Sequence, residues 1–193
     1  VLAGGRGIGF MHFSMSDPIG LDQKVRAYRE AIARAEPVGA FVNEQFAAFS
    51  TLFCGRDDAD AAARAGEAIC WYANLVEAVY ASLAGLGEDA SYAWYRKRLE
   101  QEGMKQRSLS ELVERRSAIV GGPARCLESV RWYESQGVDM LILLVQAGTL
   151  RHEDICDSLR RVGREVISQF PAAPESGATR TPMTTTEKGG TRG

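Results

Sequence analysis

The 193-residue sequence has no long apolar run, no excess of one charge and almost no histidine. No stretch reaches the roughly 18 apolar residues that a membrane helix needs, and no charged segment followed by an apolar core opens the chain. The formal charge of −2 and the pI near 5.8 give no clustered positive surface for nucleic acid or anionic lipid. We therefore expect no membrane span, no secretion, no nucleic-acid partner and a cytoplasmic location.

The sequence also lacks the residue patterns of a metal centre or a disulfide framework. It has two histidines and four cysteines, and no two cysteines form a C-x-x-C pair. We predict no metal site and interpret the cysteines as small buried apolar residues. They are Cys54, Cys70, Cys126 and Cys156.

What is present predicts one globular domain followed by a tail. Hydrophobic residues make up 45% and charged residues 25% of the chain, which is ordinary for a folded domain. From Pro171 to Gly193 the composition changes to Pro, Gly, Ser, Thr and charge, with one Met as the large apolar residue. Such a segment cannot bury enough apolar surface to order itself. We predict a domain over 1–170 and a disordered tail over 171–193.

Residues 119–170 show the pattern of a parallel α/β protein. Gly122 and Pro123 suit a helix cap and a first helical position, so a strand ending near Gly121 should lead into a helix that stops at Gly137. The apolar run 138–145 predicts a parallel strand covered on both faces. A helix should follow, with one buried stripe made of Ile155, Leu159, Val162, Val166 and Phe170. Sites in such folds lie at the carboxyl ends of strands, which here is Gln146 to Thr149.

The first half of the chain repeats the strand and helix pattern. Glycines before Phe10–Phe13 do not follow a strand and open a helix, so we predict a tight turn into a buried strand and not a dinucleotide loop. A helix is predicted with Leu21, Val25, Tyr28 and Ile32 buried, and a strand over 46–53. The next helix should begin at the acids 57–60 and end near Gly85. Its predicted buried stripe is Ile69, Tyr72, Val76, Val79 and Leu83. The charged segment 85–118 interrupts the repeat as an insertion.

Several short motifs now occur in a characteristic order. They are Gly121-Gly122-Pro123, Gly137-Val138-Asp139, Gln146-Ala147-Gly148, Arg151-His152-Glu153, Ser158-Leu159, Glu165-Val166 and Phe170. This order resembles the end of the bacterial luciferase-like flavin monooxygenases over about residues 3–170. The resemblance implies the C-terminal portion of a (β/α)8 TIM barrel, about three βα units, in which 10–13 is the sixth strand and 46–53 the seventh.

The resemblance also implies where a flavin pocket would lie. Phe13 and Ser14 follow the sixth strand and Gln146 follows the last, so we predict that these three residues line it. The alternative is that Phe13 is a core residue. His12 is interpreted as a hydrogen-bonded core residue and His152 as a cap or surface residue. No catalytic residue is assigned, because the family's other flavin contacts lie on earlier strands with no matching positions here.

The insertion 85–118 lies where family members carry a mobile cover that shields the reduced flavin. We predict lid contacts from Trp94, Tyr95 and Arg98. The alternative is a pair of solvated surface helices with mixed charge.

The resemblance implies a flavin-dependent monooxygenase that oxidises a small organic substrate with O2 and reduced FMN. A separate flavin reductase would supply the reduced FMN, and the parent protein would be a homodimer. A deazaflavin-dependent oxidoreductase is the alternative within the family. The alternative from another class is an inactive remnant or a flavoprotein-like binding module, because three barrel strands leave two sheet edges unpaired. We expect that the isolated chain binds no FMN.

Overall fold

The computed structural model describes residues 1–15, 18, 20–87, 89–102 and 106–171, without the side chains of 94, 101 and 102. The predicted tail therefore lies outside the described residues, apart from Pro171. The described part contains one sheet with the strands β1 (Phe10–Phe13), β2 (Phe46–Cys54), β3 (Ala118–Gly121) and β4 (Met140–Leu144).

The helices alternate with these strands. They are α1 (Leu2–Gly5), α2 (Leu21–Ile32), α3 (Asp58–Ala84), α4 (Ala93–Glu102), α5 (Leu109–Glu114), α6 (Pro123–Ser135) and α7 (His152–Arg161). A 3-10 turn at Ala90–Tyr92 precedes α4, and α7 continues into a π-helical turn at Val162–Val166 and a 3-10 turn at Ile167–Gln169. No helix in the described ranges is long and apolar enough to cross a membrane.

Strand β2 is the centre of the sheet, and all its neighbours are parallel to it. Thr51 pairs with Ala118 of β3 and with Leu144 of β4, so these two strands lie on opposite edges of β2. Strand β1 pairs with the first part of β2 and shares the edge that β3 occupies further along. The prediction that three apolar segments lie side by side and point the same way is confirmed.

One face of the sheet, which we call the outer face, is closed by α2, α6 and the segment 162–170. Alternate residues of β2, such as Phe46 and Leu52, pack there with α2 and with Tyr133 of α6. All four predicted core positions of α2 are buried, and α2 ends at Ile32, before the Pro37 breaker as predicted. Gly122 caps α6 with Pro123 at its first position, also as predicted.

The opposite, inner face is covered at its carboxyl end by α3, α5 and the start of α7. Phe53 and Val120 pack there against alanines of α3 and against Leu112 and Ile155. The predicted stripe of α3 is wrong, because of its members only Ile69 is buried and Val79 is 48% exposed. Small residues are buried instead, namely Ala61, Ala65, Gly66, Ala68 and Ala73. The helix can lie this close because its contact face carries almost no side-chain bulk.

Strands β1 and β4 were predicted to be buried on both faces. Their side chains on the inner face are exposed, so the prediction is wrong for that face. Met11 is 54% exposed, Met140 is 44% exposed and Ile142 is 37% exposed. Among the described strands, β4 pairs with β2 alone, so it is an edge strand and not an interior one. The apolar run 138–145 correctly predicted a parallel strand. Its inner face would be covered only by elements that the described residues do not include.

Two local expectations also need correction. Residues Leu2–Gly5 form a short helix where a simple turn was predicted, and Gly7, with φ of 68°, makes the turn toward β1. In α7, Ser158 faces the core and accepts a hydrogen bond from the Cys54 backbone N–H at 2.8 Å. This contact rotates the helix so that Leu159, predicted as buried, is 45% exposed.

Candidate functional site

Three apolar side chains form a row on the inner face at the level where β1 ends, below the part that α3 covers. Phe13 is in register with Phe49, and Phe49 is in register with Ile142. The rings of Phe13 and Phe49 are stacked with centroids 5.1 Å apart and planes 13° apart. We call Phe13, Phe49 and Ile142 the inner row. Because Ile142 is partly exposed and the row below it contains the exposed Met11 and Met140, this part of the face is open and apolar.

A buried hydroxyl follows the inner row along β2. Thr51 is fully buried, and its Oγ1 has no hydrogen-bond partner among the described residues. Buried hydroxyl groups are normally hydrogen-bonded. The inner face therefore contains one polar group whose bonding the described residues leave incomplete.

An ion-pair network fixes α3 across the upper part of the inner face. Asp154 at the start of α7 accepts hydrogen bonds from Arg151 Nε at 2.8 Å and from Arg64 Nη2 of α3 at 2.5 Å. These bonds from Arg151 and Arg64 hold the pKa of Asp154 below its usual range. Arg64 also lies over the ring of Phe53, 5.4 Å from its centroid. The network ties the helix to the loop after β4.

A second polar cluster lies where α3 and α6 begin. Asp58 accepts hydrogen bonds from the Gly122 backbone N–H at 2.8 Å and from Arg125 Nε at 2.6 Å, and the pKa of its carboxyl is lowered by these bonds in that order. Arg56 is paired with Asp60 at 2.7 Å. The arginines of the two clusters, Arg56, Arg64, Arg125 and Arg151, are thus each paired with an aspartate.

A cavity of about 400 Å³ lies between α3 and the loop that follows β4. Its lining consists of Glu67, Ala68, Trp71, Gly148 and Thr149. Gly148 has φ of 49°, and a Cβ placed there would be 3.2 Å from Cε3 of Trp71. The loop can therefore lie against the indole because residue 148 has no side chain.

The predicted pocket residues take three different positions. Phe13 belongs to the inner row. Gln146 is exposed, and its Nε2 donates to the Leu150 carbonyl at 3.4 Å within its own loop. Ser14 is fully buried near Tyr133 on the outer side, where burial raises the pKa of the phenol and the hydroxyls of Ser50 and Ser14 oppose that shift. The structure brings Phe13 to the open face but places Ser14 away from it.

The histidines stay apart from the inner row. His12 is half-buried within β1, and His152 is the exposed first residue of α7. The Nε2 atom of His152 lies 3.4 Å from Sγ of Cys156, one turn along the same helix. No group of three or more potential metal ligands occurs among the residues described.

The predicted lid residues lie on α4, which packs against the second half of α3. Arg98 is 92% buried by its helix neighbours, pairs with Glu77 at 2.6 Å and lies 5.1 Å from the centroid of the Tyr80 ring. The ring of Tyr95 is 5.4 Å from that of Tyr80. Trp94 is on the same helix, and its side chain is outside the described part of the structure. Contacts to a ligand from α4 remain a prediction.

The family model for luciferase-like monooxygenases matches residues 1–140. The chain belongs to the luciferase-like monooxygenase family. The match includes β1 to β3 with their helices and ends at the first residue of β4. No curated protein sequence matches the chain.

Solved structures share the fold of the family at low sequence identity. Monooxygenase RslO1 from Streptomyces bottropensis is 17% identical with a TM-score of 0.62, covering 88% of this chain and 44% of that one. The oxygenating constituent of 3,6-diketocamphane monooxygenase from Pseudomonas putida, solved in complex with FMN, is 18% identical with a TM-score of 0.59, covering 89% and 45%. MsnO8, solved without ligand, is 13% identical with a TM-score of 0.51, covering 88% and 47%. The chain spans less than half the length of these structures.

Sequence reasoning missed the residues that complete the site. Phe49 and Ile142 were recognised as strand residues but not as neighbours of Phe13, because register between strands is not visible in a single sequence. Trp71 and Glu67 were not singled out either. The sequence held one indication of them. The alanines of α3 mark its buried side, and Glu67 and Trp71 lie one turn apart on another side of the helix.

Proposed function

We propose that the chain supplies one wall of the flavin site of a luciferase-like monooxygenase, which oxidises a small organic substrate with O2. The observation that carries this proposal is the inner row, an open apolar surface just below the carboxyl end of a parallel sheet. Active sites in barrels of this kind lie at that end. The family membership of the chain supports the reaction class.

The inner row suits the ring system of a flavin better than its phosphate. A flat heteroaromatic ring can lie against the apolar surface formed by Phe13, Phe49 and Ile142, as aromatic rings commonly do in ligand sites. A phosphate needs cations or free N–H groups, and the arginines of the two clusters, Arg56, Arg64, Arg125 and Arg151, are already paired with aspartates. In this proposal the phosphate contacts come from other strands of the barrel.

Bound reduced flavin supplies the electrons that activate O2. The role of this chain is to provide a dry surface, since the inner row excludes water from one side and α3 covers the end of the sheet above it.

FMN is the cofactor that we propose, with a separate reductase as its source in the reduced form. The structure of the diketocamphane monooxygenase constituent in complex with FMN supports this choice over a deazaflavin. The two cofactors are distinguished by the reaction, because a monooxygenase consumes O2 with each substrate oxidised and a hydride-transfer enzyme does not.

The test uses the protein encoded by the complete reading frame that contains this chain. Ile142→Glu introduces a carboxylate into the inner row, while Ile167→Glu makes the same change at a site that is 61% exposed outside it. We expect Ile142→Glu to weaken FMN binding at least about tenfold, because a buried charge against the ring costs well over 1.4 kcal/mol. Ile167→Glu should bind FMN like the wild type.

Two measurements decide the outcome: quenching of flavin fluorescence, and substrate-dependent oxygen uptake with reduced FMN. Equal FMN affinity in the two variants would contradict the role of the inner row. Absence of FMN binding, or of substrate-dependent oxygen uptake, in the wild-type protein would contradict the proposed reaction.

A non-catalytic binding module is the second candidate, and the open face also favours it. The outward edges of β1 and β4 and the exposed Met11 and Met140 would suit contact with another protein as well as closure of a barrel. We predict that the isolated 193-residue chain binds no FMN. Equilibrium dialysis checks this, and stoichiometric yellow flavin on the purified chain would contradict it.

A further inference from the structure

We propose that Trp71 is the stacking platform for the substrate, an organic ring that is neutral or cationic, in the cavity between α3 and the loop after β4. This inference rests on the proposed function, because it assigns the cavity to the organic substrate of that reaction. It adds a named contact residue and a charge preference.

The indole of Trp71 is held on one side and accessible on the other. Gly148 lies against both Trp71 and Ala68, so that a Cβ placed on it would be 3.2 Å from the indole, and Trp71 nevertheless remains 53% exposed. Beside a cavity, an exposed indole presents a large apolar surface for contact with a ligand ring. The fixed position of the ring suits stacking, because the ring loses little freedom when a ligand binds.

The size and lining of the cavity set the class of ligand. A volume of about 400 Å³ is in the range of sites that hold small organic molecules. The lining combines the indole and Ala68 with two polar groups, the Glu67 carboxylate and the Thr149 hydroxyl. A ligand with a flat apolar ring and a polar substituent matches this lining.

Glu67 determines the charge preference. It lies one helical turn before Trp71, so its carboxylate and the indole are on the same side of α3. The described lining contains no basic residue, and Arg64, one turn earlier, is already paired with Asp154. The site should therefore favour a hydroxyl or ammonium substituent and disfavour an anionic one.

Three probes with the same two-ring skeleton test this preference on the flavin-free protein from the complete reading frame: 2-naphthol, 2-naphthylmethylamine and naphthalene-2-sulfonate. We expect the naphthol and the amine to bind and the sulfonate to bind about tenfold more weakly than the amine, the effect of one nearby like charge near a surface. Equilibrium dialysis gives each affinity, and the part of the tryptophan fluorescence quenching that is lost in Trp71→Ala reports contact with this indole among the three of the chain.

Three variants complete the experiment. Trp71→Ala should weaken the binding of the naphthol and of the amine about tenfold, as expected for loss of a stacked aromatic contact. Leu75→Ala, one turn further along the same exposed side of α3, is the matched control and should leave both unchanged. Glu67→Gln should reduce the difference between amine and sulfonate and leave naphthol binding as it is.

Unchanged binding in Trp71→Ala, or equal affinity for amine and sulfonate in the wild type, would overturn the inference. Its failure is distinguishable from failure of the proposed function, since no flavin takes part in these measurements. Loss of FMN binding in Ile142→Glu together with unchanged naphthol binding in Trp71→Ala would support the flavin wall and refute the platform.

Discussion

The outer face of the sheet is closed by helices that contribute large side chains, whereas the inner face is closed above by α3, which contributes mainly small residues, and is open below. On the outer face Phe46, Leu52, Tyr28 and Tyr133 fill the space between strands and helices. On the inner face alanines of α3 contact the upper strands, and the inner row below them is uncovered. The outer face therefore stabilises the fold, and the inner row is the part of the sheet that is left open.

The largest difference that we expect between the faces concerns cavity formation. Leu52→Ala, at a position 1% exposed on the outer face, should lower the free energy of unfolding by about 3 kcal/mol, because neighbours cannot fill the space. Ile142→Ala removes a similar volume from the open face and should cost less than about 1 kcal/mol. Urea denaturation measures both. Equal losses would show that the inner face is as tightly packed as the outer one.

The next effect concerns a buried hydrogen bond of the outer face. The phenol of Tyr133 donates to the Arg116 carbonyl at 2.6 Å, and Tyr133→Phe leaves that carbonyl without this partner. We expect a loss of about 1.5 kcal/mol in the free energy of unfolding. Tyr72→Phe, at a half-buried position of α3, is the control and should change stability by less than about 0.5 kcal/mol. An equal loss in the free energy of unfolding for Tyr72→Phe would show that the effect does not come from the buried hydrogen bond of Tyr133.

A smaller effect is expected at the glycine that ends α6. Gly137 has φ of 84°, and an added Cβ would lie 3.2 Å from Cγ1 of Val25 on the outer side. Gly137→Ala should cost about 1 kcal/mol through backbone strain. Gly163→Ala, where no atom lies within 4 Å of the added Cβ, should raise stability by about 0.5 kcal/mol. Thermal unfolding compares the two variants, and the same sign in both would contradict the strain argument.

The smallest effect is a change in pH dependence at the network that fixes α3. The pKa of Asp154 is lowered by hydrogen bonds from Arg151 and Arg64, so its contribution is complete above the unfolded-state pKa of about 3.9 and is lost as pH falls toward the lower folded-state pKa. Asp154→Asn should therefore flatten the fall of the melting temperature below about pH 4. The effect is limited because Arg64 keeps Asp60 and Arg151 keeps Glu153 as partners. An unchanged acid limb in the variant would exclude this role for Asp154.

The local patterns of the sequence predicted most of the secondary structure for clear physical reasons. The spacing of Leu21, Val25, Tyr28 and Ile32 fixed the buried side of α2, and Pro123 marked the start of α6. The failures share a different cause. The alanines of α3 carry little hydrophobic signal, yet they face the sheet because close approach favours small residues. Ser158 faces the core in place of Leu159, because its hydroxyl accepts a hydrogen bond from the Cys54 backbone N–H.

The candidate site was predictable only in part. Phe13 and the end of β4 were found because the carboxyl ends of parallel strands form sites in α/β proteins. Ser14 was included because it follows Phe13, although the chain turns it toward Tyr133. Phe49, Ile142 and Trp71 were absent from the prediction, because their membership of the site depends on which strands and helices become neighbours.

By itself the sequence determined that parallel strands alternate with helices, since that pattern follows from residue spacing along the chain, and its motifs occur in an order that resembles luciferase-like monooxygenases. The tertiary structure alone decided that the inner row is open, that α3 lies across the same face and that Trp71 meets Gly148. These are contacts between residues distant in sequence, and their free energy depends on register and packing that no local pattern specifies.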